Sequence, residues 1–290
     1  MIIKAFKHLD DNAVDEVLTL EAICRKYDNL SANVYLDTTL NFYDNIKSVF
    51  CLYDDGELIS VLSMLIPTQW EAEISAFTLP EYRRNGYFNK LLSKAVQELI
   101  NFQVRSILFV CESQSISGKM VIDKLNTQYA FTEYLMRLKQ GRYTSKDSYR
   151  ISLIKPNLKS LKMIIDISMR TFDESYEEAN SQINECLESE FRDQYLAVLE
   201  DKIIGLCSIN QEEDEVSIFG LGILPEYRGK GYGKELLSII VDNLRERGKL
   251  KIALMVTGEN TSAIELYKQL GFQTAATIEY YRKKVKDPRQ

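Results

Sequence analysis

Histidine is nearly missing from this chain: His8 is the only one in 290 residues. The five cysteines, Cys24, Cys51, Cys111, Cys186 and Cys207, are odd in number and widely spaced. Neither set has the spacing of metal ligands or of a disulfide framework, so no metal site is expected. Most of the cysteines sit in apolar runs, which reads as buried free thiols in a reducing cytosol. Long hydrophobic runs are missing too. No stretch approaches the ~20 apolar residues that a bilayer requires. The opening Met1-Ile2-Ile3-Lys4-Ala5-Phe6-Lys7 lacks the apolar core of a secretory signal, so a cytoplasmic location is expected. Positive charge is not in excess. Lys and Arg number 36 against 42 Asp and Glu, a net charge of −6. Residues 1–145 hold 15 against 18 and residues 146–290 hold 21 against 24, which is −3 in each half. Neither half has the basic footprint of a nucleic-acid binder, so neither nucleic acid nor membrane is expected as a partner.

The chain does have a glycine-rich turn at a strand-to-helix junction. Val216–Ile223 reads as a strand that Pro225 stops, and Leu236, Leu237, Ile240, Val241 and Leu244 recur at helical spacing. Between them, Arg228-Gly229-Lys230-Gly231-Tyr232-Gly233 has glycine at every second position. Such a backbone can curl its N–H groups into one concavity in front of a helix N-terminus, which suits a phosphate or pyrophosphate. It is not a nucleoside-triphosphate loop, because Glu235 stands where that motif needs lysine. It is not a dinucleotide fingerprint either, because Lys234 stands where the third glycine belongs.

The stretch Leu79-Pro80-Glu81-Tyr82-Arg83-Arg84-Asn85-Gly86-Tyr87-Phe88-Asn89-Lys90-Leu91-Leu92 matches residues 224–237 at nine of fourteen positions, 145 residues earlier. Its surroundings repeat as well. A strand leads in over 73–79, and Leu91, Leu92, Ala95, Val96, Leu99 and Ile100 form a helical stripe. Residues 106–110 form a buried strand like 250–255, and Ala130-Phe131 sits where Gly271-Phe272 does. A half-chain period means two copies of one domain. Each copy reads strand, helix, hairpin, strand, helix, strand, helix, strand, with Asp54-Asp55-Gly56 and Glu200-Asp201-Lys202 as hairpin turns. The polar segment near 140–150 marks the boundary, giving domains 1–143 and 148–290.

Arg228, Gly231 and Gly233 resemble the Q/R-x-x-G-x-G/A pyrophosphate loop of the GCN5-related N-acetyltransferases (GNAT). Downstream, Asn260-Thr261-Ser262-Ala263-Ile264-Glu265-Leu266-Tyr267-Lys268-Gln269-Leu270-Gly271-Phe272 resembles that family's N-x-x-A-x-x-L-Y-x-x-x-G-F segment. The resemblance implies an α/β fold of two tandem GNAT domains, each a mixed, mostly antiparallel sheet flanked by helices. It implies acetyl-CoA as co-substrate and a primary amine as acceptor, either a small molecule, cationic or not, or a peptide, in a monomer or homodimer. Residues 228–234, with Arg228, Lys230, Tyr232 and Lys234 among them, would hold the pyrophosphate. Backbone groups of Leu221 and Ile223 would hold the pantetheine arm, and Asn260 would touch that arm as well as cap its helix. Tyr267, on spacing alone a half-buried core tyrosine beside Ala263 and Leu270, would by resemblance protonate the leaving thiolate.

The first copy departs from the pattern. Phe88 replaces Gly233, while Arg84 and Asn85 replace Gly229 and Lys230. Counted back from the aligned phenylalanines, Tyr267 falls on Asn126. A degenerate first copy and an active second copy are therefore expected. No general base stands out: Glu212, Glu213 and Glu215 precede the central strand but read first as a charged turn. Two other readings remain, a non-catalytic acyl-CoA-binding or regulatory module and a protein N-terminal acetyltransferase. Residues 173–190 hold seven acids (Asp173, Glu174, Glu177, Glu178, Glu185, Glu188, Glu190) and no Lys or Arg. They would draw a cationic acceptor if they line its cleft.

Overall fold

The computed structural model of the protein describes residues 1–145, 148–211 and 215–285. In chain order the first elements are β1 (Ile2–Phe6), α1 (Asp11–Asp28), β2 (Val49–Asp54), β3 (Glu57–Leu65), β4 (Glu71–Thr78), α2 (Tyr87–Asn101), β5 (Ser106–Glu112) and α3 (Ile116–Leu125). There follow β6 (Gln128–Leu138), β7 (Ser152–Ile154), α4 (Leu161–Phe172), α5 (Tyr176–Glu188), β8 (Arg192–Leu199) and β9 (Lys202–Gln211). The last are β10 (Val216–Ile223), α6 (Tyr232–Glu246), β11 (Ile252–Thr257), α7 (Thr261–Gln269) and β12 (Phe272–Lys284).

These elements gather into two compact units, one of Met1–Glu133 with the chain from Ala276 onward, the other of Tyr134–Ala275. The units divide the chain differently from the expected 1–143 and 148–290. Polar composition marks a loop, but hydrogen bonding decides membership. Ile278–Lys284 of β12 pairs antiparallel with Ser106–Glu112 of β5, so the last strand completes the first unit. Lys146 and Asp147 of the expected boundary lie outside the described residues.

In the first unit the strand order is β1-β2-β3-β4-β5-β12, and in the second it is β6-β11-β10-β9-β8-β7. Each sheet is mixed: β4 pairs parallel with β5 in the first unit and β10 parallel with β11 in the second, beside antiparallel pairs such as β2 with β3 and β8 with β9. Asp55 and Gly56 have φ 46° and 90°, the mirror-image turn that the Asp-Gly signal calls for between β2 and β3.

In the first unit Leu91, Ala95 and Leu99 of α2 and Val17, Leu20 and Cys24 of α1 enter one core. In the second, Leu236, Leu237, Ile240, Val241 and Leu244 of α6 join a core with Ala197 and Ile204. Ile164 and Ile167 of α4 and Ala179 and Ile183 of α5 pack on Leu196 and Leu206. Leu196 and Ala197 are consecutive strand residues, so these helices cover opposite faces of the sheet. Each fully buried Leu or Ile contributes about 1.5–3 kcal/mol, and this repeated burial fixes each helix N-terminus at the end of its strand. All five cysteines are buried and free.

Candidate active site

In the second unit β10 runs into a short helical turn, Pro225–Tyr227, and then into the residues before α6. Gly229 has φ 72° and Gly231, the N-cap of α6, has φ 84°. No side chain caps this helix, so its first N–H groups face outward unclaimed. A Cβ at Gly229 would meet nothing within 4 Å, so the concavity is open. Arg228 does not reach outward. It donates from Nε to the Ile223 carbonyl (2.9 Å) and from Nη2 to the Thr171 carbonyl (2.5 Å), tying the loop to β10 and to the end of α4.

The first unit repeats this turn. Arg84 has φ 67° and Gly86 φ 78°, and Arg83 donates from Nε to the Thr78 carbonyl (3.0 Å) and pairs with Asp28 (2.7 Å). The loss of two glycines thus leaves the turn's shape unchanged, because Arg84 itself takes the left-handed conformation. The copies differ in the side chain that follows. Phe88 packs as a partly buried ring against the first core, whereas a Cβ at Gly233 would meet only Leu266 Cδ1 (3.5 Å) and Ile223 Cγ1 (3.8 Å).

Beside the loop the central strands part. β10 pairs with β11 only from Val216 to Ile218, against Ile252 to Leu254, yet continues to Ile223 while β11 continues to Thr257. On its other edge the register with β9 slips between Phe219 and Gly222. Gly220 and Leu221 are therefore outside both ladders, with Gly220 at φ 53°. Leu221 thus keeps backbone groups to offer, while Ile223 stands opposite Gly205 in the ladder and its carbonyl already accepts from Arg228. Gly205 permits the bulge: a Cβ there would lie 2.4 Å from the Gly222 carbonyl oxygen.

At the start of α7 the Asn260 Oδ1 accepts from the Ala263 N–H and from Ser262 Oγ, both at 3.1 Å. Asn260 is therefore the N-cap of α7. Tyr267, 8% exposed, packs in the second core with its ring 6.2 Å from that of Phe272. Its hydroxyl has no hydrogen-bond partner among the described residues. Burial, with Cys207 adding to it, pushes its pKa up to about 12, so the phenol stays protonated at neutral pH. In the first unit the N-cap of α3 is Ser115, which accepts from the Gly118 N–H. Counted from the two caps, the equivalent of Tyr267 is the buried Ile122 rather than Asn126. The helices of the two copies run in step from their caps, and four extra residues lie between Ile122 and Phe131. Either way the first unit has no phenol there.

The family model described as "Acetyltransferase (GNAT) family" matches residues 14–117 and 161–272, one stretch in each unit. The chain belongs to this family. A ribosomal protein bS18-alanine N-acetyltransferase of Escherichia coli (strain K12) is 37% identical over 68 residues, 23% of this chain and 46% of that protein. A mycothiol acetyltransferase of Corynebacterium glutamicum (strain R) is 32% identical over 84 residues, 29% of each chain. The matched stretches span less than half the length of these relatives. Among solved structures, a GCN5-related N-acetyltransferase from Sphaerobacter thermophilus aligns with a TM-score of 0.79 at 16% identity, covering 99% of this chain and 96% of that one. A tandem GNAT protein from the clavulanic acid biosynthesis pathway aligns at 0.77 and 12% identity, covering 99% of each. At these identities the likeness is one of fold.

Around the GNAT loop, the Lys230 ammonium donates to the Glu226 carbonyl (3.1 Å) and Lys234 to Gln269 (3.2 Å), and both side chains are outside the core. The Tyr232 ring lies 4.5 Å from the Arg150 guanidinium. Arg150 donates to buried Glu235 (2.7 Å) and to the Lys230 carbonyl (2.9 Å), bracing the loop from outside. This pair has no local sequence signal, since 85 residues separate its members.

Of the candidate bases, Glu215 is held by Arg137 at 2.6 and 3.1 Å, and Glu212 and Glu213 lie outside the described residues. In the acidic segment, Glu174 accepts from Ser168, Glu178 closes a capping box with Ser175, and Glu185 pairs with Arg192. Among the described residues no three His, Cys, Asp or Glu side chains gather as a metal-binding group. No described helix is long and apolar enough to cross a membrane.

Proposed function

We propose that the second unit transfers an acetyl group from acetyl-CoA to a primary amine, and that the first unit is a degenerate copy that supports it. The observation carrying this reading is the meeting, in one unit, of three features: an open turn at an uncapped helix N-terminus, strands that part beside it, and an unpartnered phenol on the following helix. The turn's N–H groups and the positive end of α6 would hold the pyrophosphate, with Gly229, Lys230, Gly231, Tyr232, Gly233 and Lys234 forming its walls. Arg228 would act by fixing the turn. The unpaired backbone of Gly220–Leu221 would hold the pantetheine arm and polarise the thioester carbonyl, and the free amide of Asn260 would border the arm.

The amine nitrogen attacks the carbonyl carbon, the C–S bond breaks, and the Tyr267 hydroxyl gives its proton to the departing sulfur. The attacking amine loses its proton to water, and the phenolate left on Tyr267 takes a proton back from water. Holding both reactants in one cleft supplies much of the rate.

A second reading is an N-terminal acetyltransferase of proteins, favoured by the relative named for ribosomal protein alanine acetylation. The test is coenzyme A release from acetyl-CoA with a panel of small amines and of peptides with free N-termini. Turnover of small amines supports the first reading and turnover of peptides the second. Tight acetyl-CoA binding with no release from any acceptor would leave a binding or regulatory module.

A further inference from the structure

Gly222 of β10 is touched where it has no side chain. A Cβ there would lie 2.3 Å from Thr171 Cγ2 and 2.7 and 2.8 Å from two ring carbons of Phe172. Neither neighbour is a loose tip. Thr171 is buried, its carbonyl accepts from Arg228, and α4 is closed two residues later by Asp173 in the left-handed conformation, whose N–H donates to the Met169 carbonyl. The end of α4 is thus pinned with the Phe172 ring laid against the strand. Yet that ring is 40% exposed, so one side packs on Gly222 and part of it remains open.

Next to Gly222 are Gly220 and Leu221, whose backbone stands outside both strand ladders. An acyl carbonyl accepting from these N–H groups would place its alkyl group beside Phe172. The first unit is built otherwise: the strand position matching Gly222 is Phe77, so the strand itself supplies the bulk.

We infer that Phe172 determines the acyl group accepted, its ring against Gly222 closing the space beyond the Gly220–Leu221 bulge so that acetyl fits and longer chains do not. This rests on the acetyl-transfer reading above. An apolar wall that admits or excludes a methylene discriminates by roughly 10–200-fold.

The experiment compares acetyl-CoA with butyryl-CoA for the wild type, Phe172→Leu and Phe172→Ala, measuring dissociation constants by calorimetry and, with one amine, kcat/KM. Phe172→Ala should raise the butyryl-to-acetyl ratio at least about 10-fold, with Phe172→Leu between. A purely structural role would lower both donors equally, and that result overturns the inference. A changed KM for the amine with an unchanged donor ratio also overturns it, making the ring part of the acceptor wall. If the wild type binds neither donor, the acetyl-transfer reading falls and this inference with it. Binding with an unaltered donor preference in the variants removes this inference alone.

Discussion

Arg84 and Gly229 hold the same left-handed backbone, φ 67° and 72°, at the same step of the turn in the two copies. For an L-residue this conformation costs about 1–2 kcal/mol, and only the surrounding structure keeps Arg84 in it. The Arg84 side chain is exposed and has no hydrogen bond among the described residues. Arg84→Gly should therefore stabilise the chain by up to about 1 kcal/mol, since the extra freedom of glycine in the unfolded state offsets part of the relief. Denaturant midpoints check this, and a loss of stability would mean that the arginine makes a contact of its own.

Because both turns hold the same backbone, a difference in ligand binding between them would have to come from what stands over them. Gly233→Phe transplants the ring of Phe88 onto the second loop, where the nearest atoms to a Cβ are 3.5 and 3.8 Å away. The variant should fold normally and lose at least about tenfold in acetyl-CoA affinity, about 1.4 kcal/mol. Calorimetry on the wild type should find one acetyl-CoA per chain. Two equivalent sites would show that Phe88 does not obstruct the first turn.

Tyr267→Phe keeps a ring that fills the second core and removes a hydroxyl that has no hydrogen-bond partner among the described residues. Stability and acetyl-CoA affinity should scarcely change, while kcat falls by roughly 10²–10⁴. With its pKa pushed up to about 12, the phenol should contribute no alkaline limb to the pH–rate profile below pH 10. Unchanged turnover under rate-limiting chemistry would return Tyr267 to packing alone.

The parts of this site legible in the sequence are those encoded locally. Glycines at alternate positions, the cap Asn260 and the apolar stripes of α2 and α6 each act within one or two turns of chain, and the repeat multiplies their weight. What escaped notice acts at a distance. Gly205 matters only because the Gly222 carbonyl crowds it, and Arg150 only because Glu235 accepts from it. The return of β12 to β5 is a pairing across more than 150 residues, which no periodicity reports. The offset between Asn126 and Ile122 has the same origin. Aligning on Phe131 and Phe272 counts through the four extra residues between Ile122 and Phe131, whereas the helix caps do not.

Glu73 in the first unit offers a test of pH dependence. It lies on β4 opposite Leu108, near Glu71, which Arg282 holds at 2.8 Å, and near Glu133, which accepts from Tyr280 at 2.8 Å. Burial first, then the charges of Glu133 and Glu71, push its pKa up to about 7. A raised carboxyl favours the folded state while it is protonated. Its contribution is thus complete below about 4.5 and is lost as pH rises through about 7. Glu73→Gln should raise the unfolding midpoint at pH 8.5 and have little effect at pH 5. A difference between variant and wild type that does not vary with pH would show that Glu73 is charged and solvated throughout.

The acidic segment at the end of α4 and along α5 divides into two sets of carboxylates. Glu174, Glu178 and Glu185 are engaged with Ser168, Ser175 and Arg192, so they serve the helices rather than a substrate. Asp173, Glu177, Glu188 and Glu190 are exposed and make no ion pair among the described residues. Four uncompensated carboxylates create a negative field, and Asp173 directly follows Phe172, which lies against β10. Such a field raises the encounter rate of a cationic amine and weakens as salt shortens the ~10 Å screening length at 0.1 M. A polycationic amine should therefore show a higher kcat/KM than a neutral one of similar size, and that advantage should shrink from 50 to 500 mM salt. Asp173→Asn with Glu177→Gln should reduce it in the same direction, with little change in kcat because neither side chain touches the reacting atoms. A preference for neutral or anionic acceptors, unmoved by salt, would leave these four carboxylates as solvated surface.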